Sequence, residues 1–171
     1  EVKDALEMSY NLWTNQMKSA DDHLLLFRKQ RREGATDHAS FQNFSFNFDS
    51  AAGIIYTVDV TKPKGEKITI ISMADGTPFS MDKMYKVALN SYRGNGGGEL
   101  LTKGAGIPQD ELKGRILFST DKDLRYYLMQ YIEKKGVIEP HALGQWKFIP
   151  EEWVEPAAKR DYEYLFGKVE K

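Results

Sequence analysis

The 171-residue sequence has no cysteine, which excludes disulfides, thiolate metal centres and a cysteine nucleophile. The compartment stays open, because a cysteine-free chain survives in oxidising and reducing surroundings alike. Histidine is scarce. His23, His38 and His141 are the only three, none is spaced from another like paired metal ligands on one helix or hairpin, and each reads as a surface or capping residue. An excess of one charge is also missing: Lys and Arg total 24 against 25 for Asp and Glu, for a net charge of -1 and a pI of about 6.4. No global basic field therefore exists to hold a nucleic acid polymer by phosphate neutralisation. The longest apolar runs, Leu24 to Phe27 and Gly53 to Tyr56, fall far short of the roughly 20 residues that cross a bilayer. Absent too are a Gly-x-Ser-x-Gly elbow, a Gly-x-x-x-x-Gly-Lys phosphate loop and a Gly-x-Gly-x-x-Gly turn opening a helix. The acidic pairs Asp21-Asp22 and Glu151-Glu152 lie in polar loops or helix starts, where solvation and capping explain them. No catalytic residue and no metal or other cofactor is expected on this chain itself.

What is present suffices for one core: 41% of the residues are apolar, and the length suits one domain better than two. Val2, Ala5, Leu6, Ser9, Leu12 and Trp13 recur at helical spacing. No Ser, Thr, Asp or Asn cap precedes them, which leads us to expect that Glu1 is an artificial or processing boundary inside a longer protein. Thr14 to Gln42 reads as a loop with a short ordered piece at Leu24 to Phe27, and the basic cluster Arg28 to Gly34 as a solvated stretch rather than a phosphate patch. Period-two alternation then predicts strands over Phe44 to Phe48, Ile54 to Val60, Lys67 to Met73, Met84 to Ser91 and Gly114 to Ser119, with a tight turn at Asp75-Gly76. Thr120, with Asp123 three residues on, predicts the start of a helix whose Leu124, Tyr127, Leu128, Tyr131 and Ile132 share a face and whose end lies at Gly136. Trp146 to Ile149 reads as a last strand and Ala157 to Phe166 as a terminal helix. The expected class is α+β: a mixed, largely antiparallel sheet with flanking helices in a single domain, spanning 1–150, followed by a helical extension at 151–171. Trp13, Tyr56, Phe148 and Tyr127 read as core aromatics.

The informative segment is Val87-Ala88-Leu89-Asn90-Ser91-Tyr92-Arg93-Gly94-Asn95-Gly96-Gly97-Gly98-Glu99. An apolar strand runs straight into an aromatic, a cation and several glycines. Glycine permits positive φ and close approach to the backbone, and an exposed Tyr92 offers a flat face to a nucleobase, worth roughly 1–3 kcal/mol per stacked base. On these grounds alone a ligand platform and a flexible turn with Tyr92 packed at its edge are both open. Asn90, Arg93 and Asn95 are the polar neighbours a ligand would meet. Arg93 serves equally in a surface ion pair, and Asn95 in a tight turn.

This strand, aromatic and Gly-Gly loop resemble the C-terminal domain of the 5'-nucleotidase family, which includes the 2',3'-cyclic-nucleotide 2'-phosphodiesterase/3'-nucleotidases. The helix Glu1 to Ser9, the stretches Asn47-Phe48-Asp49 and Gly53 to Pro63, the Asp75-Gly76-Thr77-Pro78 turn and the ending Trp146-Lys147-Phe148 stand in family order. The resemblance covers about residues 1–150. It implies a secreted, periplasmic or cell-surface phosphohydrolase whose N-terminal metallophosphoesterase domain holds two divalent metal ions and whose C-terminal domain binds the nucleotide or nucleoside. Tyr92 inherits the role of stacking on the base, with Asn90, Arg93, Asn95, Gly96, Gly97 and Gly98 around it as substrate-binding residues. The opposing aromatic of the family lies before the first helix. Members of the 5'-nucleotidase branch usually carry Asp where this chain has Gly98, while Tyr92-Arg93 and Asn47-Phe48-Asp49 look more like the cyclic phosphodiesterase branch. Two rival readings are a stand-alone ligand-binding or interaction module built on the same loop, and a nucleotide-sugar hydrolase domain.

Overall fold

Ile54, Tyr56 and Val58 bury their side chains on one face of strand β1 (Ile54–Asp59), and this strand is the centre of the molecule. The computed structural model describes residues 1–28 and 40–167; of the basic cluster, Lys29 to Gly34 lies outside the described residues. On one side β1 pairs antiparallel with β2 (Ile68–Met73), with an irregularity between Ile55 and Tyr56. On the other side it pairs in parallel with β3 (Trp146–Ile149), placing Tyr56 opposite Trp146 and Val58 opposite Phe148. The sheet is mixed, in the order β2-β1-β3, within a small α+β domain.

Helix α1 (Val2–Asn11) lays Leu6 and Tyr10 on the buried face of this sheet. Tyr10 is fully buried, meets Phe48, Trp146 and Phe148 edge to face at 5.2, 5.4 and 5.8 Å, and shares a 2.9 Å hydroxyl hydrogen bond with Tyr56. A buried phenol needs such a partner. A second cluster, Met17, Leu24, Val60 and Ala157, joins the loop after α1 to helix α4 (Glu151–Phe166).

Several expected elements differ. Phe44 to Phe48 is not a strand: Phe44 and Phe46 are exposed and stack on each other at 5.3 Å, and only Phe48 enters the core. Met84 to Ser91 runs without a strand partner, because Tyr85 turns back to stack on Phe79 at 4.7 Å and to accept a hydrogen bond from the Ser80 amide at 2.8 Å. Gly114 to Ser119 gives way to a 3₁₀ turn at Leu112–Arg115 followed by exposed Ile116, Leu117 and Phe118. After the one-turn helix α2 (Ser91–Gly94), helix α3 (Leu124–Lys135) forms where expected. Asp123 rather than Thr120 caps it, its carboxylate accepting from the Tyr126 amide at 3.0 Å. Its apolar face, Tyr127 included, is exposed to solvent, so Tyr127 is not core, whereas Trp13, Tyr56 and Phe148 are packed. Helix α4 starts at Glu151, earlier than expected, and passes through Pro156 because Trp153, Val154 and Ala157 anchor it on both sides of the proline.

Candidate functional site

Asn90, which precedes α2, is its N-cap: the side-chain oxygen accepts from the Arg93 amide at 2.8 Å. This short turn replaces the expected strand exit and sets Tyr92 outward, 52% exposed. Asn95 closes the turn from its exposed position, its side-chain amide donating to Ser91 O at 2.8 Å. Gly96 and Gly98 take left-handed φ values of 87° and 69°, and Glu99 follows at 60°, a conformation that strains a residue with a Cβ.

The three consecutive glycines are required by what presses on them. A Cβ on Gly97 would sit 2.5 Å from the Tyr92 ring, and one on Gly96 2.4 Å from Gln109 Oε1. One on Gly98 would sit 2.0 Å from Arg93 Nη1 and 2.2 Å from Asn47 Oδ1. Bare backbone here lets the protein's own side chains close on the loop. Tyr92 lies with one ring edge against Gly97, and the Arg93 guanidinium stands 5.4 Å over its centroid.

Arg93 is buried at 3% exposure. Its guanidinium pairs with Asp49 at 2.5 Å and donates to Asn47 Oδ1 at 2.5 Å and to Gly97 O at 3.1 Å. Asp49 is fixed in turn by buried Ser9 of α1, whose hydroxyl donates to Asp49 O at 2.7 Å and accepts from its amide at 2.8 Å. On the other flank, Gly104 packs directly against Met8 and Ala5 of the same helix. The platform is thus clamped to α1 from two sides. The sequence placed Asn90, Tyr92, Arg93, Asn95 and the glycines together, and the structure keeps them adjacent, with Tyr92 and Asn95 outward and Arg93 inward. Asn47, Asp49, Ser9 and Gln109 were not singled out as site residues. The signal for Asn47 and Asp49 was the Asn47-Phe48-Asp49 stretch, which the family resemblance marked without giving either residue a role at the site.

Two hollows lie elsewhere on the described surface, one between Glu1–Lys3 and Phe79–Tyr85, the other between Ser50–Ala52 and Ala142–Trp146. Tyr92 lines neither of them and stands half-exposed beside the glycine loop. Among the described residues no three His, Asp or Glu side chains gather to hold a metal ion. No helix among them is long and apolar enough to cross a membrane.

Residues 1–103, from α1 through the glycine loop to the turn that follows it, match the family "5'-nucleotidase, C-terminal domain". The chain belongs to the 5'-nucleotidase C-terminal domain family. It is 31% identical over 162 residues to the trifunctional nucleotide phosphoesterase protein YfkN of Bacillus subtilis, covering 88% of this chain and 10% of that protein. It is 26% identical over 121 residues to the 2',3'-cyclic-nucleotide 2'-phosphodiesterase/3'-nucleotidase of Haemophilus influenzae, covering 62% of this chain and 17% of that one. The chain therefore matches only 10% and 17% of the length of these bacterial relatives. No solved structure matches it at a significant level. β3 and α4 lie beyond the 103 matched residues, yet β3 completes the sheet.

Proposed function

We propose that this chain is the nucleotide-recognition part of a secreted or periplasmic phosphohydrolase, in which Tyr92 stacks on the base and the Asn95–Gly98 loop shapes the pocket rim. The observation that carries it is the half-exposed Tyr92 ring, set with one edge against Gly97 in a 5'-nucleotidase C-terminal domain. An exposed aromatic fixed at its edge has already lost its rotamer freedom, so stacking costs little further entropy. The name of the Haemophilus influenzae relative favours 2',3'-cyclic and 3'-nucleotides among the substrates, that of the Bacillus subtilis relative a nucleotide phosphoester of unspecified position, and 5'-nucleotides are the other class. The proposal assigns bond cleavage and two divalent metal ions to a metallophosphoesterase domain in the same polypeptide, which would face Tyr92.

Titrating the 171-residue chain with adenosine 3'-phosphate tests this reading. The Tyr92 ring resonances are expected to shift upfield on binding, and added divalent metal is expected to produce no hydrolysis. Saturable binding that leaves the Tyr92 signals unmoved, or turnover by the chain alone, would refute it.

A further inference from the structure

Arg93 sits beside the base platform and, being cationic, invites assignment as a ligand contact. Its geometry contradicts that use. The guanidinium is turned inward, nearly sealed from solvent, ion-paired with Asp49 and hydrogen-bonded to Asn47 and the Gly97 carbonyl. A carboxylate partner at 2.5 Å already neutralises it. At the same time it touches both parts of the platform, because Gly97, whose carbonyl it holds, is the residue on which the Tyr92 ring rests, and its Cζ stands 5.4 Å from that ring's centroid.

We infer that Arg93 is the positioning residue of the Tyr92 platform: anchored by Asp49 and Asn47, it fixes the Gly97 backbone and one face of the ring, leaving the opposite face for the base. This rests on the stacking role given to Tyr92 above. Planar, bidentate-capable guanidinium suits a site where one side chain must reach three acceptors and an aromatic face together; an ammonium at the end of a lysine stem makes fewer fixed contacts. Gly98 belongs to the same device, since any side chain there would displace Nη1. The anchor reaches the core through Asp49 and Ser9, so the orientation of an exposed ring is set from the buried face of α1.

The test compares wild type, Arg93→Met, Arg93→Lys, Asp49→Asn and Tyr92→Ala by two readouts: NMR contacts between the Tyr92 ring and Gly97, and affinity for adenosine 3'-phosphate. Arg93→Met is expected to abolish the Tyr92–Gly97 contacts while the Tyr10–Tyr56 core contacts persist, and to weaken binding at least tenfold, approaching Tyr92→Ala. Arg93→Lys is expected to restore less than half of the loss. Should Arg93→Met also lose the core contacts, Asp49→Asn decides by the same signals, since it keeps the backbone bonds to Ser9. Ring contacts that persist in Arg93→Met or Asp49→Asn, or binding unchanged while Tyr92→Ala weakens it, would overturn the inference. If Tyr92→Ala leaves binding intact, the stacking role fails instead, and the ring contacts alone decide the positioning role.

Discussion

Replacing Lys67 with Met is expected to lower the unfolding free energy by about 3–5 kcal/mol, the range for removing one partner of a buried charge network. Lys67 is 2% exposed. Its ammonium donates to Thr14 O at 3.0 Å, Thr14 Oγ1 at 2.8 Å and Asn15 O at 2.8 Å, tying the end of α1 to the start of β2. Methionine fills similar space but leaves these oxygens without their donor, and each unpaired buried acceptor costs about 1–3 kcal/mol. It also strips the positive charge that acts on buried Glu7, whose carboxylate accepts from the Ile68 amide at 2.6 Å. Urea denaturation measures the loss; a change below about 1 kcal/mol would show that the network is dispensable. The same residue gives a pH signature. Burial pushes its ammonium down to about 8 against the opposing pull of Glu7, whereas an unfolded lysine titrates near 10.4. Within that window the unfolded chain binds more protons, so stability rises with pH, by up to about 1.4 kcal/mol per unit. Burial pushes the Tyr10 and Tyr56 hydroxyls up, so above about pH 10 the fold keeps protons that the unfolded chain releases, and stability falls. The Lys67 contribution is therefore expected to rise between about pH 8 and pH 10 and the tyrosine contribution to fall above about pH 10, and Lys67→Met to remove the rising limb and keep the falling one.

Asp161→Ala is expected to cost about 3 kcal/mol, because it removes a buried charged acceptor that bonds the part-buried Leu25 amide and the His23 ring. Asp161 is 1% exposed. One carboxylate oxygen accepts from the Leu25 amide at 2.8 Å and the other meets His23 Nδ1; the His23 ring stacks on Tyr164 at 5.3 Å. Arg160, next in sequence, donates to Ala20 O at 2.8 Å and Asp22 O at 2.6 Å. Consecutive residues of α4 thus hold both ends of the 20–25 loop, while Ala157 fills the cluster with Leu24 and Met17. Hydrogen exchange at the Leu25 amide should quicken in step with the lost stability. An unchanged unfolding midpoint would mean that α4 merely rests on the loop.

The strands β1, β2 and β3 were legible because their alternation coincides with a buried face, and α1 and α3 because apolar residues recur at helical spacing. Phe44 to Phe48, Met84 to Ser91 and Gly114 to Ser119 show the same alternation without a sheet. Periodicity tells which side chains would share a face, whereas a strand also needs a neighbour for its backbone groups, and no local sequence encodes that neighbour. The platform was half legible. Tyr92 and the glycines stand together in sequence and in space. Arg93 reads as a ligand contact or a surface ion pair until Asn47, 46 positions earlier, is found against it, and a pairing across that distance leaves no trace in local composition.

The most direct measurement is steady-state kinetics of Tyr92→Ala in the proposed phosphohydrolase, this chain joined to a metallophosphoesterase domain, with a 2',3'-cyclic nucleotide as substrate. Loss of one base stack, about 1–3 kcal/mol, predicts a KM raised roughly 5- to 150-fold with kcat changed little, and Tyr92→Phe, which keeps the ring, near wild type. KM and kcat both unchanged in Tyr92→Ala would contradict the account.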